Sequence, residues 1–246
     1  IPADMDKSRM HSIRNHIAKA MEKLETEDFQ LEELHITGEK CAALRVPQIV
    51  ITVAGETEQK ERIADALLTA RAGQDIVYAG WAGLEGMLRI IGEKEAELRE
   101  RFTPAFIGQM KAYDSELCGL SKIAVADAMG VSVIRQVSRG GILASLWDLA
   151  KDTELGLNLD LKKIAVRQET IEVCEHFRLN PYQLASGGSF LMLAENGEAL
   201  ADALNQKGIQ AAVIGQLTDS NDKVIYNGED MRYIDRPAPD ELMKVF

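Results

Sequence analysis

The chain has 246 residues, with 28 Lys+Arg against 39 Asp+Glu and a formal net charge of −11. That acidity excludes nucleic acid as the main partner, because phosphate binding needs a basic footprint. The 46% hydrophobic and 27% charged fractions exclude general disorder, and no apolar run near ~18 residues suggests a transmembrane helix.

In chain order, residues 6–25 read as an amphipathic helix, with Met10, Ile13, Ile17, Ala20, Met21 and Leu24 at helical spacing. Leu34–Thr37 and Ile49–Ala54 read as strands, the second almost wholly apolar and therefore buried. Residues 58–71 have helical spacing but run into a turn at 72–75, ahead of a strand at Ile76–Ala79. The glycine-rich stretch GWAGLEG at 80–86 follows, then a helix to about Arg101 ending in the charged run EKEAELRER, a solvated face. Thr103-Pro104 reads as an N-cap followed by proline at the first helical position. A helix at Ser121–Met129 stops at Gly130, and Val131–Ile134 is a strand. QVSRGG at 136–141 then leads into a helix at Ile142–Lys151.

Further on, a strand is expected at Leu155–Leu159 and a helix at Glu169–Phe177. Ser186-Gly187-Gly188 opens the apolar strand Ser189–Ala194, and Gly197–Gln206 is a helix. Strands at Gln210–Leu217, Lys223–Tyr226 and Met231–Ile234 end the chain, the last two joined at Asn227-Gly228, a strong hairpin signal, before a short terminal helix. This irregular alternation, closed by a hairpin, predicts an α+β layered domain rather than a doubly wound parallel sheet.

Histidine and cysteine offer little chemistry. His11 and His16 are poorly spaced for one helix face, and His35 and His176 stand alone. The three cysteines, Cys41, Cys118 and Cys174, are odd in number and widely spaced, which predicts reduced thiols and a cytoplasmic protein. Cys118 and Cys174 lie in apolar helical patterns and are expected to be buried. The first residue is Ile1, so the chain is expected to be a piece of a longer protein or to carry foreign residues at its start.

The three glycine loops are the informative features. Gly80–Gly86 and Gln136–Gly141 each join a strand to a helix, and Ser186–Gly188 precedes a strand. Glycine permits close backbone approach, and unpaired N–H groups at a helix start favour anions. Arg139 adds a charge able to bind phosphate or carboxylate. The loops are therefore expected to converge on a cleft for a small anionic ligand; ordinary turns and helix caps are the competing explanation.

At these loops the sequence resembles the AIR synthase-related family, the superfamily of aminoimidazole ribonucleotide synthetase and the hydrogenase maturation factor HypE. The segments that carry the resemblance are GQDIVYAGWAGLEG, VSVIRQVSRGGILASLWDLA, LDLKKIAVRQETIEVCEHFRLNPYQLASGGSFLMLAENG, AAVIGQLTD and PDELMKV. It implies that residues 73–246 form a complete C-terminal domain and 1–72 a remnant of the N-terminal α/β domain. It implies ligand-facing positions at Gly83, Glu85 and Gly86, at Gln136, Ser138, Gly140 and Gly141, and at Ser186, Gly187 and Gly188. It also implies a homodimer built around residues 33–55.

ATP and magnesium belong to the superfamily, but the acidic first half of the N-domain that holds them has no counterpart here. The family's Gly-Gly-His-Thr-Glu loop is matched only around His35–Glu39. Gln136 replaces the usual aspartate, and an amide neither serves as a base nor binds a metal as a carboxylate does. The terminal Lys-Val-Phe lacks the Pro-Arg-Ile-Cys tail that carries a carbamoyl group in hydrogenase maturation. The expectation is an ATP-dependent enzyme's substrate-side part, with no cofactor in this chain alone and no catalytic residue assigned. A non-catalytic binding or assembly protein is the alternative.

Overall fold

The computed structural model describes residues 7–22, 66–131 and 133–246, and the chain divides into two compact units, Ile1–Glu58 and Gln59–Phe246. In the first unit the described element is helix α1 (Lys7–Glu22). Its amphipathic reading holds where side chains are described: Ile13 and Ile17 are half-buried, and Arg14 and Lys19 are exposed. The expected strands at 34–37 and 49–54, and the dimer segment 33–55, lie outside the described residues.

The second unit is built on a seven-stranded sheet. Its strands are β1 (Asp75–Ala79), β2 (Val133–Val137), β3 (Gly156–Asp160), β4 (Ser189–Ala194), β5 (Ala211–Thr218), β6 (Lys223–Asn227) and β7 (Asp230–Tyr233), in the order β2-β4-β1-β5-β3-β6-β7. Every neighbouring pair is antiparallel except β3 with β6. The expected α+β class therefore stands. The β6–β7 hairpin turns at Gly228, whose φ of 70° suits glycine at a tight turn.

Alternation along the strands sorts the core into two faces. Ile76, Tyr78, Leu191 and Leu193 point to one side, against Ile142, Leu146 and Leu149 of helix α5 (Gly141–Thr153). Val77, Ala79, Phe190 and Met192 point to the other, against Ala126 of α4 (Leu120–Ala128) and Leu200 and Leu204 of α7 (Gly197–Gln206). Burial on both faces explains why β1 and β4 read as continuous apolar runs. A third cluster lies among helices α2 (Leu84–Leu98), α3 (Pro104–Lys111) and α6 (Gln168–Phe177), where Met87, Ile90, Met110, Val173 and Leu184 are buried.

The cap at Thr103 is as read, its hydroxyl accepting the Phe106 N–H at 3.3 Å. The helical spacing at 58–71 yields, in its described part, only a single 3-10 turn, Ala66–Thr69. Strand β2 runs further than the sequence suggested. It extends to Val137, so Gln136 lies inside the sheet opposite Phe190 rather than in a loop.

Candidate functional site

Register decides what meets what at one end of the sheet. Ala79 at the end of β1 is paired with Phe190 near the start of β4 and with Ala211 at the start of β5, and Val137 at the end of β2 is paired with Ser189. The chain leaves β1 and β2, and enters β4 and β5, at this same end. All three glycine loops are located there.

The loops after β1 and before β4 are bonded directly to each other. Ser186, fully buried, donates its hydroxyl to the Leu184 carbonyl at 2.7 Å and accepts the Gly83 N–H at 2.7 Å. Glu85 accepts the Gly187 N–H at 2.8 Å with Oε2 and pairs with Arg89 through Oε1 at 2.8 Å. Gly86 donates to the Ala185 carbonyl at 2.8 Å. A Cβ on Gly86 would run into the Leu184 side chain, and one on Gly187 would lie 2.6 Å from Glu85 Oε2. Behind them Tyr78 donates to Ser189 at 3.0 Å, and Ser189 donates to the Ser186 carbonyl at 2.6 Å. Burial raises the Tyr78 phenol pKa.

The third loop joins through one carbonyl. Ser138 O accepts the N–H groups of Gly141 at 3.2 Å and Ser186 at 3.3 Å. Gly141 has φ 66°, and a Cβ there would strike the Tyr182 carbonyl oxygen. Gly140, the residue before α5, donates its N–H to Asp240 Oδ2 at 2.7 Å. The Asp240 Oδ1 accepts from Leu242 at 2.9 Å. A carboxylate of the chain's own C-terminal segment thus occupies the start of α5.

The three loops therefore come together, through Ser138, Ser186 and Glu85. The expectation that their amides lack internal partners is corrected: Gly83, Gly86, Gly140, Gly141, Ser186 and Gly187 all donate within the chain. Gln136, Ser138 and Arg139 are exposed, and Arg139 forms no ion pair among the described residues, Asp148 included. Gly188 has φ 82°, and a Cβ there would lie 2.5 Å from the Leu117 Cα; it serves close packing.

The described residues do not by themselves fit magnesium-ATP. Gln136 presents an amide, the Glu85 and Asp240 carboxylates already accept backbone N–H groups, and no group of three His, Cys, Asp or Glu among the described residues could hold a metal ion.

Sequence reading missed a second constellation at the same end of the sheet. Arg167, immediately before α6, has its guanidinium 4.2 Å from the Trp81 ring centre and 3.9 Å from that of Tyr113. It pairs with Glu116. Tyr113 and Gln109 in turn donate to Glu169 at 2.7 and 2.8 Å. Trp81 stood inside the glycine stretch and was legible; Arg167, Tyr113 and Glu116 are brought together only by the fold. Of the cysteines, Cys174 is buried as expected, and burial pushes its thiol up to about 12. Cys118 is exposed, because it follows the 3-10 segment Ala112–Leu117 rather than lying on a helix's apolar face.

Comparison with known proteins bears on this geometry. A hydrogenase expression/formation protein of Methanocaldococcus jannaschii is 22% identical over 236 residues, spanning 93% of this chain and 68% of that protein. The carbamoyl dehydratase HypE of Azotobacter vinelandii is 29% identical over 150 residues, 59% of this chain and 42% of the relative. The crystal structure of Escherichia coli HypE superposes with a TM-score of 0.58 at 21% identity, covering 73% of this chain and 54% of that one. The chain thus spans about half the length of the HypE proteins it matches. The model of the AIR synthase-related protein C-terminal domain matches residues 71–227, which hold all three glycine loops, and the chain belongs to that family.

Proposed function

We propose that this chain is the substrate-side part of an ATP-dependent enzyme of the AIR synthase-related superfamily, acting on an amide, carbamoyl or phosphorylated small molecule. The observation that carries the reading is the bonding of the three family loops into one cluster at one end of the sheet, with Arg139 exposed beside it. In this role the internal bonds hold the backbone in a fixed shape, and Arg139 supplies the cation that orients an anionic substrate group. Residues 1–72 are the remnant of the N-terminal domain, residues 33–55 carry a homodimer contact, and the protein works in the cytoplasm. Phosphoryl transfer needs metal ions held by carboxylates, so this chain alone should not turn ATP over.

The test uses the longest product encoded by the gene, with magnesium-ATP and carbamoyl or amide substrates. Substrate-dependent ADP formation is expected, with Arg139→Ala lowering kcat/KM about ten- to a hundredfold. Magnesium-dependent ATP turnover by the 246-residue chain alone, abolished by mutating one of its own carboxylates, would overturn the division of labour. Gln136, an amide where the family usually carries aspartate, favours the second reading, a binding or assembly protein; ATP-independent capture of the same substrate by the full product would select it.

A further inference from the structure

A cleft of about 550 Å³ opens beside Gly80 and Trp81, walled by the 3-10 segment 112–117, the start of α4, Arg167 and the turn before β5. Its size falls within the range of small-molecule sites. Its charges do not balance. Among the described lining residues Arg167 and Lys122 are cationic and Glu116 is the single carboxylate.

Both cations are held in place. Lys122 is only 6% exposed, and its ammonium donates to the carbonyls of Glu116 and Cys118 at 3.0 and 3.2 Å. Those two bonds leave one N–H of the ammonium without an acceptor among the described residues. Burial lowers its pKa, with the nearby Glu116 charge opposing the shift. Arg167 is clamped between Trp81 and Tyr113, and one amino group pairs with Glu116. Its Nε is buried and has no hydrogen-bond partner among the described residues. Glu169, the other carboxylate close in sequence, is committed to Tyr113 and Gln109. A buried donor left unmade and a surplus cation both cost free energy, and one added acceptor anion would relieve both.

We infer that this cleft is an oxyanion site, in which the carboxylate or phosphate group of a small organic molecule bridges Arg167 and Lys122. Trp81 and Ile209 give the organic part an apolar wall. Glu116 competes with the ligand for Arg167. A planar, two-oxygen head suits the guanidinium fork, whose orientation is fixed by the flanking rings. The site is independent of ATP chemistry and does not use Arg139 or the bonded glycine cluster.

The test is a titration of the 246-residue chain followed by nuclear magnetic resonance of the indole N–H groups of its two tryptophans. Trp81→Phe assigns the signal. Inorganic phosphate and acetate are the probes, with chloride at matched ionic strength as the control. A saturable shift of the Trp81 signal with either probe is expected, and the tighter one identifies the preferred head group. Arg167→Gln should weaken binding about tenfold or more. Glu116→Gln removes the internal competitor and should tighten it severalfold, which decides the matter even if the arginine variant does not fold. A shift no larger than chloride gives, or an affinity unmoved by Glu116→Gln or by a folded Arg167→Gln, would overturn the assignment.

Discussion

Around Gly83, Gly141 and Gly187 the loop amides end on acceptors supplied by the chain, two of them carboxylates, Glu85 and Asp240. At the neighbouring cleft the reverse holds: the described lining carries two cations and one carboxylate, which pairs with Arg167, and a buried guanidinium nitrogen has no partner among the described residues. Buried polar groups are normally paired, so amides that already end on the chain's own acceptors act as scaffold, and a buried donor left over is where an outside group has something to add. Glycine richness alone does not separate the two. It reports close backbone approach, and a chain can fill that space itself.

Breaking the scaffold side should produce the largest effect. Gly141→Ala places a methyl against the Tyr182 carbonyl in a left-handed conformation. Overpacking and the αL penalty together predict a loss of about 2–5 kcal/mol. Gly92→Ala is the matched control, since Gly92 lies within α2 with open space around it and should gain about 0.5–1 kcal/mol. Urea midpoints of the two variants should therefore move in opposite directions. Equal midpoints would mean that the cluster is not tightly packed.

Ser186→Ala tests the hydrogen bonds rather than the shape. It leaves the Gly83 N–H and the Leu184 carbonyl without their 2.7 Å partners in a fully buried setting. The expected loss is about 1–3 kcal/mol by denaturant unfolding. A loss below about 0.5 kcal/mol would show that water replaces the serine, which would open the cluster to ligands after all.

The cysteines sharpen the contrast between packed and open ground. Cys174 keeps its proton when folded, with a pKa of about 12, whereas an unfolded thiol ionises near ~8.5. The folded state thus binds more protons above pH ~8.5, so this contribution to stability is intact below that pH and is lost as pH rises toward 12. Between pH 8 and 9.5 a decline of about 1 kcal/mol is expected under reducing conditions, and Cys174→Ala should flatten it. In the native state Cys118, on the cleft wall, should react with a thiol reagent while Cys174 does not.

Element positions were legible because apolar runs, helical spacing and glycine turns are local signals: the strand Ser189–Ala194 and the helix Gly197–Gln206 fall where the sequence places them. The meeting of the three loops was legible from their places at strand junctions of a layered domain, and the family resemblance pointed the same way. What local signals do not carry is partnership across the fold. Nothing near Gly140 in sequence announces Asp240, and nothing near Trp81 announces Arg167. Those pairings are set by strand order and by where the C-terminal segment returns. Gln136 was misplaced for the same reason, since only the pairing with Phe190 shows that β2 continues through it.

The smallest expected effect on stability is also the most useful for function. Arg139 lies between Ser138 and Gly140, both of which take part in the bonding of the cluster, yet its own side chain is exposed and forms no ion pair among the described residues. Exposed side chains without such features usually change stability by no more than about 0.5 kcal/mol when truncated. Arg139→Ala should leave the urea midpoint almost unmoved, unlike Gly141→Ala two residues away. If it also leaves phosphate binding at the Trp81 cleft unchanged, the two cationic features are separate, and any loss of turnover in the full gene product then reports substrate orientation alone. A drop in stability comparable to that of Ser186→Ala would instead make Arg139 part of the scaffold and remove it from the proposed substrate contacts.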